Sequence, residues 1–171
     1  MKHTISVLVE NKFGVLARIA GLFSARGFNI DSLAVGPTED KSVSRMTIVS
    51  KGDDKTLEQI KKQLNKLIDV IKVVDFKEGE FVDRELVLIR VAVNAKNHKE
   101  ALGVISAFGA RIASTGSKSI SVEAAGDQKS TKALLELLKP FGILEVVRTG
   151  RIAMGIEERI LKADGKPEVN E

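Results

Sequence analysis

Residues 7–16 read VLVENKFGVL, an apolar strand pattern that passes through Asn11 and Gly14 directly into an amphipathic helix. A helix start exposes unpaired backbone N–H groups and a partial positive charge. A glycine at that point lets a small anion such as a carboxylate approach the main chain closely. The stretch therefore predicts a small-ligand cradle. A simpler interpretation stays open, in which Asn11 only caps the helix and Gly14 only eases the turn.

The period of apolar residues predicts a β-α-β-β-α-β order around this stretch. Ile and Val dominate the first segment, and from Gly14 apolar residues recur at helical spacing until Gly27, a residue type that commonly ends helices. The predicted segments are a strand at 4–10, a helix at 14–26, a hairpin of strands at 29–38 and 43–51, a helix capped by Asp53 or Asp54, and a strand at 70–76.

The same order recurs in the second half of the chain. Its predicted segments are a strand at 85–94, a helix closed by Gly109, strands at 111–115 and 119–125, a helix stopped by Pro140, and a strand at 143–148. A split β-α-β repeat forms an antiparallel sheet with both helices on one face. We therefore predict an α+β protein of two tandem ferredoxin-like βαββαβ domains.

The composition also predicts the domain bounds. A polar interval suggests a linker at 78–84 between a first domain at 1–77 and a second domain at 85–156, followed by a polar tail at 157–171. The second domain has no glycine at its first helix start, where residues 93–98 read VNAKNH. Only the first domain is therefore expected to hold a ligand at that position.

Length and composition restrict the class of protein. The chain has 171 residues, of which 43% are hydrophobic and 29% charged, as in globular proteins of one or two modest domains. The absence of cysteine and of any apolar signal or membrane-spanning run predicts a cytoplasmic protein without a membrane partner. The net charge of +4 is scattered and no Trp or Tyr is present, so no nucleic-acid partner is expected.

Residues for catalysis are scarce. His3 and His98 are the only histidines, which argues against a metal site and against a Ser-His-Asp triad. The acidic pairs Asp53-Asp54 and Glu157-Glu158 are typical of caps and solvated tails. No phosphate-loop motif is present. The sequence predicts no catalytic residue, no cofactor-binding residue and no metal ligand.

Five motifs together resemble one known family. They are ENKFGVL at 10–16, RGFNIDSLAV at 26–35, SRMTIV at 44–49, RELVLIRV at 84–91 and FGILEVVRTG at 141–150. They resemble the regulatory, or small, subunits of acetolactate synthase (acetohydroxyacid synthase), whose first half is an ACT domain. The resemblance runs from residue 2 to about residue 155. Phe13 departs from the pattern, since many members carry Pro or a small or polar residue there.

The resemblance implies a protein without its own active site. Such a subunit binds the catalytic large subunit, raises its activity and conveys feedback inhibition by a branched-chain amino acid, usually valine. Thiamine diphosphate, Mg and FAD are then expected on the catalytic partner and no cofactor on this chain. The family also implies a homodimer, in which two ACT domains pair side by side and hold the effector at their interface.

The resemblance also assigns effector-binding residues by position. Asn11 and Gly14 would hold the polar groups of the effector, and Asn29 from the paired domain would complete the polar contacts. Val15, Leu16 and Ile30 would supply apolar cover. Taken by themselves, Val15 and Leu16 fit a helix core equally well, and Asn29 fits a turn before a strand.

Two other function classes stay open at this point. A free-standing ACT-type amino-acid sensor, acting on another enzyme or regulator, would share the first domain but not the motifs of the second. A hydrolase of the acylphosphatase type also uses a ferredoxin-like sheet, but it needs an arginine in the loop after the first strand. Here that loop reads Asn11-Lys12-Phe13-Gly14.

Overall fold

The structure, a computed structural model, describes residues 2–156. These residues divide into two compact units, the first comprising residues 2–82 and 151–156, the second Asp83–Gly150. The predicted polar tail at 157–171 lies outside the described residues.

Unit 1 confirms the predicted order of its elements. They are β1 (Lys2–Glu10), α1 (Val15–Ala25), β2 (Ile30–Pro37), β3 (Val43–Lys51), α2 (Asp54–Leu64) and β4 (Val70–Phe76). The strands pair antiparallel in the order β2-β3-β1-β4, so β2 and β4 are the edges of this four-stranded sheet. Gly27 has a φ of +69° and follows the end of α1, as its sequence position predicts.

One face of the sheet packs on both helices. Alternate residues of β1 point to this core, because side chains on a strand alternate between the two faces of the sheet. The buried core residues of β1, α1 and α2 are Ile5, Val7, Val9, Val15, Ile19, Leu22, Phe23, Leu57, Ile60 and Leu64. The helical spacing read from the sequence is thus confirmed for Val15, Ile19, Leu22 and Phe23, whereas the interpretation of Leu16 as a helix-core residue is wrong, since Leu16 is 45% exposed.

Unit 2 repeats the arrangement. Its elements are β5 (Phe81–Ala92), α3 (His98–Ala107), β6 (Arg111–Thr115), β7 (Ser119–Gly126), α4 (Gln128–Leu138), a short 3-10 helix (Lys139–Phe141) and β8 (Ile143–Arg148). The sheet order is β6-β7-β5-β8. A helical turn that contains Pro140 follows α4, in agreement with the predicted stop.

The segment predicted as a linker at 78–84 differs from the structure. β5 begins at Phe81, and the connection shortens to a turn in which the Glu80 N–H donates to the Lys77 carbonyl at 3.1 Å. The Phe81 ring stacks on Phe76, with 5.2 Å between the ring centroids. This contact between two aromatic rings favours a strand that begins immediately after the turn. The polar composition of residues 78–84 did not indicate that strand.

The chain returns to unit 1 after β8, whereas the predicted second domain extends to residue 156. The strand β9 (Ile152–Gly155) pairs with β5, whose first two residues belong to unit 1. Ala153 is buried with Leu8, Val43 and Phe76. β9 therefore covers part of the sheet face opposite the helices.

Hydroxyl groups of unit 1 form hydrogen bonds with residues 151–153. The Arg151 N–H donates to Ser32 Oγ at 2.9 Å, and Arg151 Nη1 donates to Thr4 Oγ1 at 2.9 Å. The Ala153 N–H lies 3.3 Å from Thr47 Oγ1, which accepts from it. Thr4 and Thr47 are buried, and these contacts supply the hydrogen bonds that buried hydroxyls require.

The second helix of each unit, α2 or α4, begins with an aspartate side-chain cap. Asp53 Oδ1 accepts from the Thr56 N–H at 2.8 Å, and Asp127 Oδ1 accepts from the Ser130 N–H at 2.7 Å. The bonds to Thr56 lower the pKa of Asp53, and those to Ser130 lower the pKa of Asp127. Of the two caps that the sequence allowed for α2, the structure selects Asp53.

We expect Asp53→Ala to destabilise the chain at neutral pH, because the first turn of α2 loses its cap. A carboxyl whose pKa is lowered by folding stabilises the fold above its ordinary pKa and loses that effect as the pH falls. The difference in unfolding free energy between wild type and variant should therefore shrink below about pH 4. Urea unfolding across this range measures it, with Asp54→Ala as the matched control. A difference that grows in acid would contradict the assignment.

Candidate ligand-binding site

The loop between β1 and α1 is held by the β2–β3 hairpin. The Asn11 N–H donates to the Ser42 carbonyl at 2.6 Å, and Asn11 Nδ2 donates to the Lys41 carbonyl at 2.9 Å. Asn11 does not cap α1, which has no side-chain cap bond, so the simpler interpretation of Asn11 is wrong. Because a carbonyl oxygen only accepts, the amide turns its NH2 toward Lys41 and leaves Oδ1 as an acceptor.

Gly14 is the N-cap residue, immediately before α1. Its φ of +83° is in the left-handed region, where L residues other than glycine are strained. No acidic residue occupies the first turn of α1. The N–H groups at this helix start therefore have no side-chain acceptor, in contrast to those of α2 and α4, and they present partial positive charge.

The charged side chains around this helix start are paired. Lys12 Nζ lies 2.8 Å from Glu10 Oε2, which raises the pKa of Lys12, and Arg18 Nη1 lies 3.0 Å from Asp69 Oδ2. In the neighbouring hairpin, hydrogen bonds from the Ser42 hydroxyl and N–H lower the pKa of Asp40. The Val15 N–H donates to the Lys12 carbonyl at 3.4 Å. Because Lys12 and Arg18 are both matched by carboxylates, the N–H groups that follow Val15 in the first turn of α1 are the element suited to bind an anion.

The apolar residues near the predicted site differ in how far they are exposed to solvent. Val15 is 3% exposed and belongs to the core of unit 1, whereas Leu16 is 45% exposed on the helix surface. Phe13 is fully exposed in the loop. Leu16 and Phe13 are therefore the accessible apolar side chains at this helix start, and ligand contact by Val15 stays a prediction.

The other two predicted residues lie at the opposite end of the sheet. Ile30 is the register partner of Ser50 on β3, whereas Asn11 bonds to Ser42, beyond the other end of that strand. Ser42 and Ser50 are eight steps apart along the chain, roughly 27 Å at the usual rise per strand residue. One chain therefore does not bring Asn29 and Ile30 together with Asn11 and Gly14.

Asn29 itself is held by two residues, Ser50 and Asp31. Its carbonyl accepts from Ser50 Oγ at 2.7 Å, and its Nδ2 donates to Asp31 Oδ1 at 2.6 Å. Sequence reasoning missed these partners, as it missed Lys41 and Ser42 for Asn11. The alternation of β3 places the polar Ser50 on the inward face of the strand, which indicates that its hydroxyl needs a partner. No sequence pattern identifies Asp31 as a partner of Asn29.

The matching loop of unit 2 lacks the glycine turn, as predicted. The residue before α3 is Asn97, with a φ of −105°, and the first turn of α3 contains the acidic Glu100. Asn94 Oδ1 accepts from the N–H groups of Lys96 and Asn97, which closes the loop on itself. A cavity of about 360 Å³ lies beside it, lined by 93–96, 98–99 and 116–117.

Within residues 2–156, no group of three or more His, Cys, Asp and Glu side chains is placed so that it could hold a metal ion. No described helix is both long and apolar enough to cross a membrane.

Two family models match successive parts of the chain. The model described as an AHAS small subunit-like ACT domain matches residues 5–72, and the model described as the small subunit of acetolactate synthase matches residues 84–157. These ranges correspond to the two βαββαβ repeats.

Similar proteins carry the same descriptions. A probable acetolactate synthase small subunit from Archaeoglobus fulgidus is 53% identical over 154 residues, covering 90% of this chain and 96% of its own length. The acetolactate synthase small subunit of Mycobacterium bovis is 51% identical over 152 residues, covering 89% and 90%. The crystal structure of the Thermotoga maritima small subunit superposes with a TM-score of 0.84 at 37% identity, covering 91% of this chain and 98% of that one.

Proposed function

Because the chain belongs to the family of acetolactate synthase small subunits, with an ACT domain as its first repeat, we propose that it activates a catalytic large subunit and conveys feedback inhibition by valine. The thiamine diphosphate, Mg²⁺ and FAD of the reaction belong, in this proposal, to the large subunit in the cytoplasm. The match of residues 84–157 to a small-subunit model disfavours a free-standing ACT sensor.

The proposed effector binding is supported mainly by the first turn of α1, which has no side-chain cap bond and lies beside Asn11. The effector is a zwitterion with a branched apolar side chain, so it needs donors, acceptors and an apolar contact. The N–H groups at the α1 start suit its carboxylate. Asn11 Oδ1 suits its ammonium group, and the exposed side chain of Leu16 suits its methyl groups.

A second copy of the chain completes this site. β2 is an edge strand, and a two-fold axis beside it pairs β2 antiparallel with its own copy. That reversal brings the start of the partner's β2 next to the end of β2 in the first chain. The end of β2 leads into the hairpin that holds Asn11, so Asn29 and Ile30 of one copy would approach Asn11 and Gly14 of the other.

We expect Gly14→Asp to abolish valine inhibition while activation of the large subunit persists. The added carboxylate occupies the place of the effector's carboxylate, so half-inhibition should need on the order of a hundredfold more valine. Gly79→Asp is the matched control, because Gly79 has a similar positive φ of +85°, lies in the turn between β4 and β5 outside any helix, and is not a predicted effector contact. Each substitution should cost about 1 kcal/mol in strain, so equal thermal unfolding of the two variants separates folding from binding.

The measurement is acetolactate production by the large subunit, with and without this chain, across a valine titration. The purified chain alone should make none. Wild-type valine response in both Gly14→Asp and Asn11→Ala would locate the effector site elsewhere. A wild-type chain that neither activates the large subunit nor confers a valine response would refute the proposed function.

We expect Val35→Asp to convert the homodimer to a monomer. Val35 lies on the edge strand β2 and is 46% exposed, so in the proposed dimer each chain would bring a negative charge to the paired edge strands. Ile71→Asp on the opposite edge, β4, is the matched control, since Ile71 is 39% exposed. Sedimentation at micromolar concentration should show a monomer for the first variant and a dimer for the second. A dimeric Val35→Asp would contradict pairing through β2.

A further inference from the structure

A carboxylate between two lysines holds the side chain of Asn29. Asp31 Oδ1 accepts from Asn29 Nδ2 at 2.6 Å, while Asp31 Oδ2 lies 3.3 Å from Lys51 Nζ and 3.8 Å from Lys2 Nζ. The side chain of Asp31 is 15% exposed, less than either lysine. Asn29 is also fixed through its backbone, because its carbonyl accepts from Ser50 Oγ.

The chemistry of the pair sets the direction of the amide. An ionised carboxylate only accepts hydrogen bonds, so the amide must turn its NH2 toward Asp31. Its Oδ1 then faces away from Asp31 as an acceptor. The ammonium groups of Lys2 and Lys51 offset the negative charge of the Asp31 carboxylate. The ammonium group of a ligand would therefore bind the Asn29 oxygen rather than the Asp31 carboxylate.

We propose that Asp31 is a positioning residue for the amino-acid effector. It fixes the Asn29 amide so that Oδ1 accepts from the ammonium group of the effector held by the partner copy. This inference rests on the proposed function and adds a specificity determinant to it. Without Asp31 the amide rotates freely, and its NH2 faces the ammonium group for part of the time, which weakens binding of ligands that carry that group.

The test compares valine with 3-methylbutanoate, which has the same carbon skeleton and carboxylate but no ammonium group. Calorimetric titration of the full chain measures both affinities. Asp31→Ala should lower valine affinity by about tenfold or more, as expected for a hydrogen bond to a charged group, and leave 3-methylbutanoate affinity unchanged. Asp31→Asn keeps an acceptor for the Asn29 amide, so its valine affinity should stay within about threefold of wild type.

Two further variants separate positioning from stability. Lys51→Gln removes an ion pair of Asp31 but not its bond to Asn29, so it should leave valine affinity unchanged. In an Asn29→Ala background, Asp31→Ala should cause no additional loss, because the group that it positions is absent. Thermal unfolding of each variant reports any change in stability.

The assignment of Asp31 is overturned if Asp31→Ala lowers both affinities equally, or if it lowers valine affinity further in the Asn29→Ala background. Equal losses in Asp31→Ala, Asp31→Asn and Lys51→Gln would overturn it as well, because they would indicate a role of charge alone. A wild-type chain that binds no branched-chain amino acid would refute the proposed function and the assignment together. A wild-type chain that binds valine while the variants behave in these contrary ways refutes the assignment only.

Discussion

The central strand β1 is buried on both faces, and the organisation of unit 1 depends on this constraint. Its residues 4–9 are all buried. The apolar ones that face α1 and α2 form the main core, while Thr4, Ser6 and Leu8 point the other way and need a second cover. Arg151 and Ala153 supply hydrogen bonds and apolar contact there. Burial of β1 thus explains why the end of the described chain belongs to the first unit.

The direction of the strands has a consequence for the ligand site. β1 and β2 run parallel with β3 between them, so the loop that leaves β1 and the residues that enter β2 lie at opposite ends of one sheet. An effector site built from Asn11 and Asn29 therefore requires two chains. In the proposed function, regulation and dimerisation share one structural element, the edge strand β2. In the same proposal, Asp31 near the beginning of β2 positions the amide of Asn29 that contacts the ligand.

Local sequence patterns predicted most helices and strands, because residues such as Gly27 and Pro140 mark where these elements end. The bounds of β4 and β8 agree with prediction, and Gly27 and Pro140 stop their helices as expected. β9 was not predicted, because its four residues are held by long-range contacts such as the bond from the Ala153 N–H to Thr47 Oγ1, which joins residues 106 positions apart. For the same reason the site was predicted by residue type and family position, while the partners Lys41 and Asp31, which orient the two amides, were not.

The central claim, that two chains share each effector site, is tested most directly by subunit complementation. Gly14→Asp and Asn29→Ala each damage every site of their own homodimer. A mixed dimer of the two variants contains one site with both defects and one with neither. Co-refolding equal amounts should therefore restore valine binding to about a quarter of the wild-type number of sites. No restored binding in a mixture that demonstrably forms mixed dimers would contradict the shared site.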